Sequence, residues 1–99
     1  MDKAQCCPSY LKFFAAMSDP TRQRIAMLLH DKPCCVGELA KNFTVSQPTI
    51  SRHLGLMESA GILHRERRGQ QVFYALNTDG LVGCCLGFAS KFGDTEEVI

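Results

Sequence analysis

No stretch of this 99-residue sequence is both apolar and long enough to cross a membrane. The longest uncharged apolar run, Leu81 to Ser90, falls far short of the ~20 residues a spanning helix needs. A secretory signal is missing too, because Met1-Asp2-Lys3 leads into a mixed polar segment where an apolar run would be required. Both absences predict a cytoplasmic protein with no membrane partner. Catalytic apparatus is also lacking. The three histidines, His30, His53 and His64, are scattered, no nucleophile is set beside a base, and no loop is built to cradle phosphate. The residues therefore argue against an enzyme. Neither an internal repeat nor a linker divides the chain, so one domain is expected over residues 1–99, with 1–9 a mobile N-terminal segment and 93–99 an acidic tail. A chain this short buries ~65% of its unfolded surface, so a partner subunit would add to its stability. At 45% hydrophobic and 21% charged residues it is an ordinary globular composition, which excludes disorder.

Large net charge is absent as well, but the distribution matters more than the sum. Asp94, Glu96 and Glu97 lie in the last six residues, and without them the formal charge rises from +1 to +4. Arg65-Glu66-Arg67-Arg68 concentrates part of that excess. Doubled in a dimer, it would attract a polyanion. A solvated surface turn is the plainer reading of the same four residues.

What the sequence does have is cysteine, six of them, and only as the adjacent pairs Cys6-Cys7, Cys34-Cys35 and Cys84-Cys85. Consecutive Cα atoms lie ~3.8 Å apart, whereas a disulfide wants ~4.4–6.8 Å, so a bridge within a pair is strained. With no route to an oxidising compartment, a disulfide framework is not expected. Neighbouring thiols can instead approach one soft ion, with a third thiolate supplied from elsewhere. Small buried filler is the alternative.

The punctuation is that of a compact helical domain. Tyr10, Phe13, Phe14 and Met17 recur at spacings of three and four and predict an amphipathic helix, with Pro8 in its first turn. Asp19 caps and Pro20 opens a second helix to about His30, striped by Ile25, Leu28 and Leu29 and ended by Asp31-Lys32-Pro33. A short third helix is expected from about Val36 to Asn42, burying Leu39, Val36 and Phe43. Ser46 then caps a fourth, with Pro48 in its first turn, Ile50, Leu54 and Met57 on its apolar face and Gly61 just past its end. Ile62-Leu63 and Gln71 to Leu76 read as strands around Arg68-Gly69-Gln70. Asn77 or Thr78 caps a last helix through about Phe92, weakened by Gly80, Gly83 and Gly87. This is a mainly α chain with a small β-hairpin, in the order α-α-α-α-β-β-α of a winged helix-turn-helix.

The fourth helix carries the chemistry. Opposite its apolar stripe fall Gln47, Pro48, Ser51, Arg52 and Gly55. Gln reads adenine bidentately, Arg reads guanine or holds phosphate, and Ser and Thr donate to phosphate. The expected DNA-reading set is Gln47, Pro48, Thr49, Ser51, Arg52 and His53, with Arg67, Arg68 and Gln70 on the flanking hairpin. His53, beside the buried stripe, has half-buried packing as its alternative role.

Leu11 to Arg22, containing Ser18-Asp19-Pro20-Thr21-Arg22, resembles the opening of the ArsR/SmtB family of bacterial metal-responsive repressors. Gly37-Glu38-Leu39-Ala40, Ser46 to Leu54, Ala60-Gly61-Ile62-Leu63, Arg67-Arg68-Gly69-Gln70 and Phe73-Tyr74-Ala75-Leu76 continue the resemblance, which spans about residues 10–77. It implies a winged-helix homodimer, paired through its first and last helices, that holds a palindromic double-stranded DNA operator and releases it when a metal or metalloid binds. Many members carry Cys-Val-Cys at the third helix, and two thiolates there hold arsenite, cadmium or lead. Here Cys35-Val36-Gly37 keeps the first thiol only, while Cys34 adds one on the other side. The Asp and His ligands of the zinc site in the last helix are missing. Some relatives instead place adjacent cysteines near the N-terminus or in the last helix.

The expected sensor is therefore thiolate, with no organic cofactor. Cys35 with Cys6 and Cys7, and Cys34 as a fourth ligand, would take As(III) or Sb(III) in preference to Cd(II), Pb(II) or Hg(II). Cys84 and Cys85 form a competing set. A thiol redox or sulfide sensor on the same DNA-binding fold is the alternative function.

Overall fold

The computed structural model describes residues 10–93. Helix α1, Tyr10–Met17, buries Phe13 of the predicted stripe together with Ala16, while Tyr10 and Met17 are half-buried and Phe14 is exposed; Pro8 lies outside the described residues. Helix α2, Pro20–Asp31, begins where its local chemistry requires. The Asp19 carboxylate accepts a hydrogen bond from the Arg22 backbone N–H at 3.1 Å, and Pro20 takes a first-turn place where its missing N–H costs nothing. That bond holds the Asp19 carboxyl below its ordinary value. Its contribution to stability is accordingly full above the ordinary value and is lost as pH falls through the lowered one.

Helix α3, Val36–Ala40, is shorter than expected and leads through a turn into α4, Gln47–Ser59. Ile50, Leu54 and Met57 on α4 are all 0% exposed and meet Phe13, Ile25, Leu29, Leu39 and Ile62 in one core. Val36 and Phe43 are only half-buried, and Phe43 lies under the Arg24 guanidinium at 5.2 Å. Gly61 ends α4 at φ 81°, the left-handed conformation that a residue without Cβ adopts at low cost.

Strands β2, Leu63–Arg68, and β3, Gln71–Leu76, form the hairpin around Gly69, at φ 63°. The charged run of residues 65–68 is thus strand and not turn. It tolerates its charges because β2 is an edge of the sheet. The hairpin is also part of something larger, since Cys34–Cys35 form a two-residue strand, β1, against the other side of β3, with Cys34 opposite Tyr74 and Cys35 opposite Phe73.

Helix α5, Thr78–Ala89, ends three residues sooner than expected and is followed by a 3-10 turn, Ser90–Phe92. Asn77 ties its start to the end of α4. Its Nδ2 donates to the Gly61 carbonyl at 2.9 Å, its Oδ1 accepts from the Gly80 N–H at 3.1 Å, and its own N–H donates to the Ile62 carbonyl at 2.7 Å. Gly80 is therefore more than a weak helix former. A Cβ there would lie 2.8 Å from Asn77 Cγ and 2.9 Å from the Gly61 carbonyl oxygen, and would collide with Asn77 Nδ2. Gly80→Ala is expected to destabilise the fold by about 1–3 kcal/mol in urea denaturation, although alanine is the better helix former.

Candidate nucleic-acid interface and thiol sites

The reading face is built from the N-terminal turn of α4. Ser46 Oγ accepts from the Thr49 N–H at 3.4 Å and lies 3.0 Å from Thr49 Oγ1, which fixes where the helix starts. Gln47, Pro48, Ser51 and Arg52 are exposed on the side away from the core, whereas Thr49 is half-buried and its hydroxyl belongs to the cap. The positive end of the helix dipole adds to the attraction for phosphate. Arg52 has no ion-pair partner among the described residues.

On the hairpin, strand alternation divides the arginines. Arg65 pairs with Glu58 of α4 at 3.4 Å, which fastens the hairpin to the reading helix. Arg67 lies on the same face of β2, exposed and without an ion pair among the described residues. Arg68 points to the other face, donates to Glu66 at 3.2 Å and stacks over the Phe73 ring at 4.7 Å. Gln70 is exposed beside the turn. Of the two arginines in the expected set, Arg67 is without an ion pair among the described residues, while Arg68 is engaged by Glu66 with half its side chain still exposed. Arg67→Ala should reduce the salt slope of DNA binding by about 1, and Arg68→Ala should leave it close to wild type.

His53, named in the expected set, is turned toward α2 in this structure. It is half-buried, and its Nδ1 sits 2.9 Å from Nη1 of Arg22 on α2. Arg22 and His53 are 31 residues apart, so no local pattern announces the contact.

Among the described residues the structure does not gather the free thiols. Residues 34 and 35 are extended, so their side chains leave opposite faces of β1. Cys34 is buried, donates to the Lys32 carbonyl at 3.5 Å, and lines a hollow with Leu28, Asp31, Glu38 and Asn42. Burial, with the Glu38 charge second, pushes its thiol up, away from the thiolate form. Cys35 faces a different groove, shared with Gln47 of the reading helix and Gln71 of β3. Its backbone N–H donates to the Glu38 carboxylate at 3.3 Å. Cys85 is exposed and carries a free thiol, like Cys34 and Cys35.

Cys84 is buried and disulfide-bonded. This corrects the expectation that the cysteines form no bridge; the adjacent pairs 34–35 and 84–85 are not bridged internally, as the strain argument requires. Cys6 and Cys7 lie outside the described residues. Among the described residues no group of three or more His, Cys, Asp or Glu side chains converges to hold a metal ion, so these thiols alone do not make an ion site.

Residues 19–65 match the family model described as "Bacterial regulatory protein, arsR family". The transcriptional repressor SdpR of Bacillus subtilis (strain 168) is 38% identical over 86 residues, covering 84% of this chain and 94% of the relative. The arsenic resistance transcriptional regulator ArsR1 of Pseudomonas putida is 42% identical over 67 residues, which cover 67% of this chain but 52% of that protein. Among solved structures, an ArsR family transcriptional regulator superposes with a TM-score of 0.74 at 26% identity, covering 84% of this chain and 92% of that one. No helix among the described residues is long and apolar enough to cross a membrane. The order of helices, the three-stranded sheet and these likenesses agree: the chain belongs to the ArsR/SmtB family of winged-helix transcriptional repressors, DNA-binding regulators and not enzymes.

Proposed function

We propose that this repressor holds a palindromic operator as a homodimer and lets go when its cysteines change chemical state. The observation that carries the DNA reading is the exposed, unpaired set Gln47, Ser51, Arg52 and Arg67, fastened to one rigid core through the buried Ile50, Leu54 and Met57. Two-fold pairing is supported by the other end of the molecule. Tyr10, Phe14, Phe88 and Phe92 form an edge-to-face aromatic chain along α1 and α5, with centroids 4.9–5.5 Å apart. Leu11 at 80%, Phe92 at 75%, Leu86 at 50% and Val82 at 44% exposure add further uncovered apolar surface to α1, α5 and the turn that follows it. A second copy would cover it. Leu86→Glu should yield an 11.0 kDa species in sedimentation at micromolar concentration, where wild type sediments as a dimer.

The inducer we propose is a soft metal(loid), As(III) or Sb(III) ahead of Cd(II), Pb(II) or Hg(II), because every candidate ligand is a thiol. Cys35 lies next to Gln47, so an ion held there has a short route to the reading helix. With every cysteine reduced, Cys6 and Cys7 of the partner subunit would complete the set. The divergence of Cys34 from Cys35 argues for Cys35 as the ligand and against Cys34 as a fourth. A thiol redox reading is favoured by a different observation, the disulfide at Cys84. Titration with arsenite, cadmium and peroxide, following release of DNA from Cys6→Ser/Cys7→Ser and Cys84→Ser/Cys85→Ser variants, separates the two. Loss of arsenite response only in the first variant supports the ion site. Loss of peroxide response only in the second supports the redox reading.

A further inference from the structure

Arg22 joins three helices. Its Nε donates to the Ala16 carbonyl at 2.6 Å, near the end of α1, and its Nη2 to the Ala15 carbonyl at 3.4 Å, which also accepts from the Ser18 N–H and hydroxyl. Its backbone N–H is held by Asp19 at the start of α2. The remaining arm, Nη1, meets His53 Nδ1 on α4 at 2.9 Å. A guanidinium has five donors and no acceptor, so Nδ1 must accept. The bond therefore exists only for the neutral ring with its proton on Nε2.

We propose that His53 is a positioning residue of the reading helix and not a DNA contact, that it works only as the neutral acceptor for Arg22, and that operator affinity consequently falls on acidification. The inference rests on the DNA-binding reading above. Its physical basis is the chain of bonds. Arg22 fixes α4 relative to α1, and α1 carries the apolar face that a second subunit would cover, so the joint helps set the separation of two reading helices. Protonation of His53 replaces an acceptor with a second cation 2.9 Å from Arg22.

The other charges around the ring do not reverse this sign. From α2, the Asp19 carboxylate favours the protonated ring, but it is already engaged by the Arg22 and Thr21 N–H groups. From α1, Lys12, Ala15 and Ala16 line a groove on the Arg22 side of the joint. On α4 itself the neighbouring charge is Arg52. A histidine that bonded a DNA phosphate would behave in the opposite way, because protonation would then strengthen binding. The direction of the pH effect therefore distinguishes the two roles.

The probe is a fluorescent duplex carrying the sequence that the wild-type protein selects from a random pool at neutral pH. Affinity is measured at about pH 7.5 and about pH 5.5, with circular dichroism at both to verify that each variant stays folded. Wild type should lose about tenfold in affinity on acidification. His53→Gln, whose carbonyl can still accept from Arg22, should bind within about threefold of wild type at neutral pH and lose the acid sensitivity. His53→Leu should bind about tenfold more weakly at neutral pH, Arg22→Lys at least as weakly because it also loosens the bonds to α1, and the double variant should be little worse than Arg22→Lys alone, because the shared bond is already lost there. The proposal is overturned if wild-type affinity is unchanged or rises in acid, if His53→Gln keeps the acid loss, or if the double variant shows the full sum of the single losses. Failure of the wild type to select any duplex at neutral pH would refute the DNA-binding reading instead.

Discussion

Leu54→Ala is expected to cost about 2–5 kcal/mol of folding stability, among the largest effects of any substitution in this chain. Leu54 is 0% exposed at the middle of the α4 stripe, between Ile50 and Met57, which are equally buried. Removing its branched end takes apolar atoms out of the core and leaves a cavity that helices on several sides cannot close together. A domain this small has only ~5–15 kcal/mol of stability to lose, so the variant should be partly unfolded at elevated temperature. Urea denaturation would show a lower midpoint with an unchanged slope. The exposed neighbour Leu56 supplies the control, since at 49% exposure its truncation removes far less buried surface.

The second large effect is on DNA. Arg52→Ala and Gln47→Ala should each weaken operator binding by about 1–3 kcal/mol, with no comparable loss of stability. Both side chains are exposed and neither supports the core, so the folded state has little reason to notice their removal. A bidentate contact to a base edge leaves its partner group unpaired when truncated, which is why the loss exceeds that of a simple phosphate contact. Fluorescence anisotropy, with thermal denaturation run alongside, would separate the lost contact from a lost fold.

Elements whose ends are decided locally are legible in the sequence, and those held by distant contacts are not. Asp19-Pro20 starts α2, Ser46 starts α4 and Gly61 ends it, because a cap is a matter of residues three or four apart. Strand β1 leaves no signal: two residues have no alternation to read, and their strand character comes from β3, almost forty positions later. Separations of 16 and 31 residues likewise hide the Asn77 joint to Gly61 and the Arg22 bond to His53. His53 looks like a reading residue because it follows Arg52, yet helical rotation and Arg22 draw it to the other side. Arg68 likewise belongs to a basic run, but alternation along β2 turns it onto Glu66 and Phe73.

The thiols show how far adjacency in sequence can depart from adjacency in space. A pair in extended backbone sends its sulfurs to opposite faces, so Cys34 fills a hollow while Cys35 borders the reading helix. A pair in a helix divides by rotation, leaving Cys84 buried and Cys85 exposed. Neither pair presents two sulfurs to one ion, and a complete site among these residues would need a ligand from outside them.

The central claim, that the N-terminal turn of α4 reads DNA sequence, is tested most directly by base preference. Wild type, Gln47→Ala, Arg52→Ala and Arg67→Ala would each select from the same random duplex pool. The account predicts that the two α4 variants lose preference at particular base pairs in each half-site, while Arg67→Ala keeps the wild-type preferences at lower affinity and with a shallower salt dependence. Unchanged preferences in both α4 variants would contradict it.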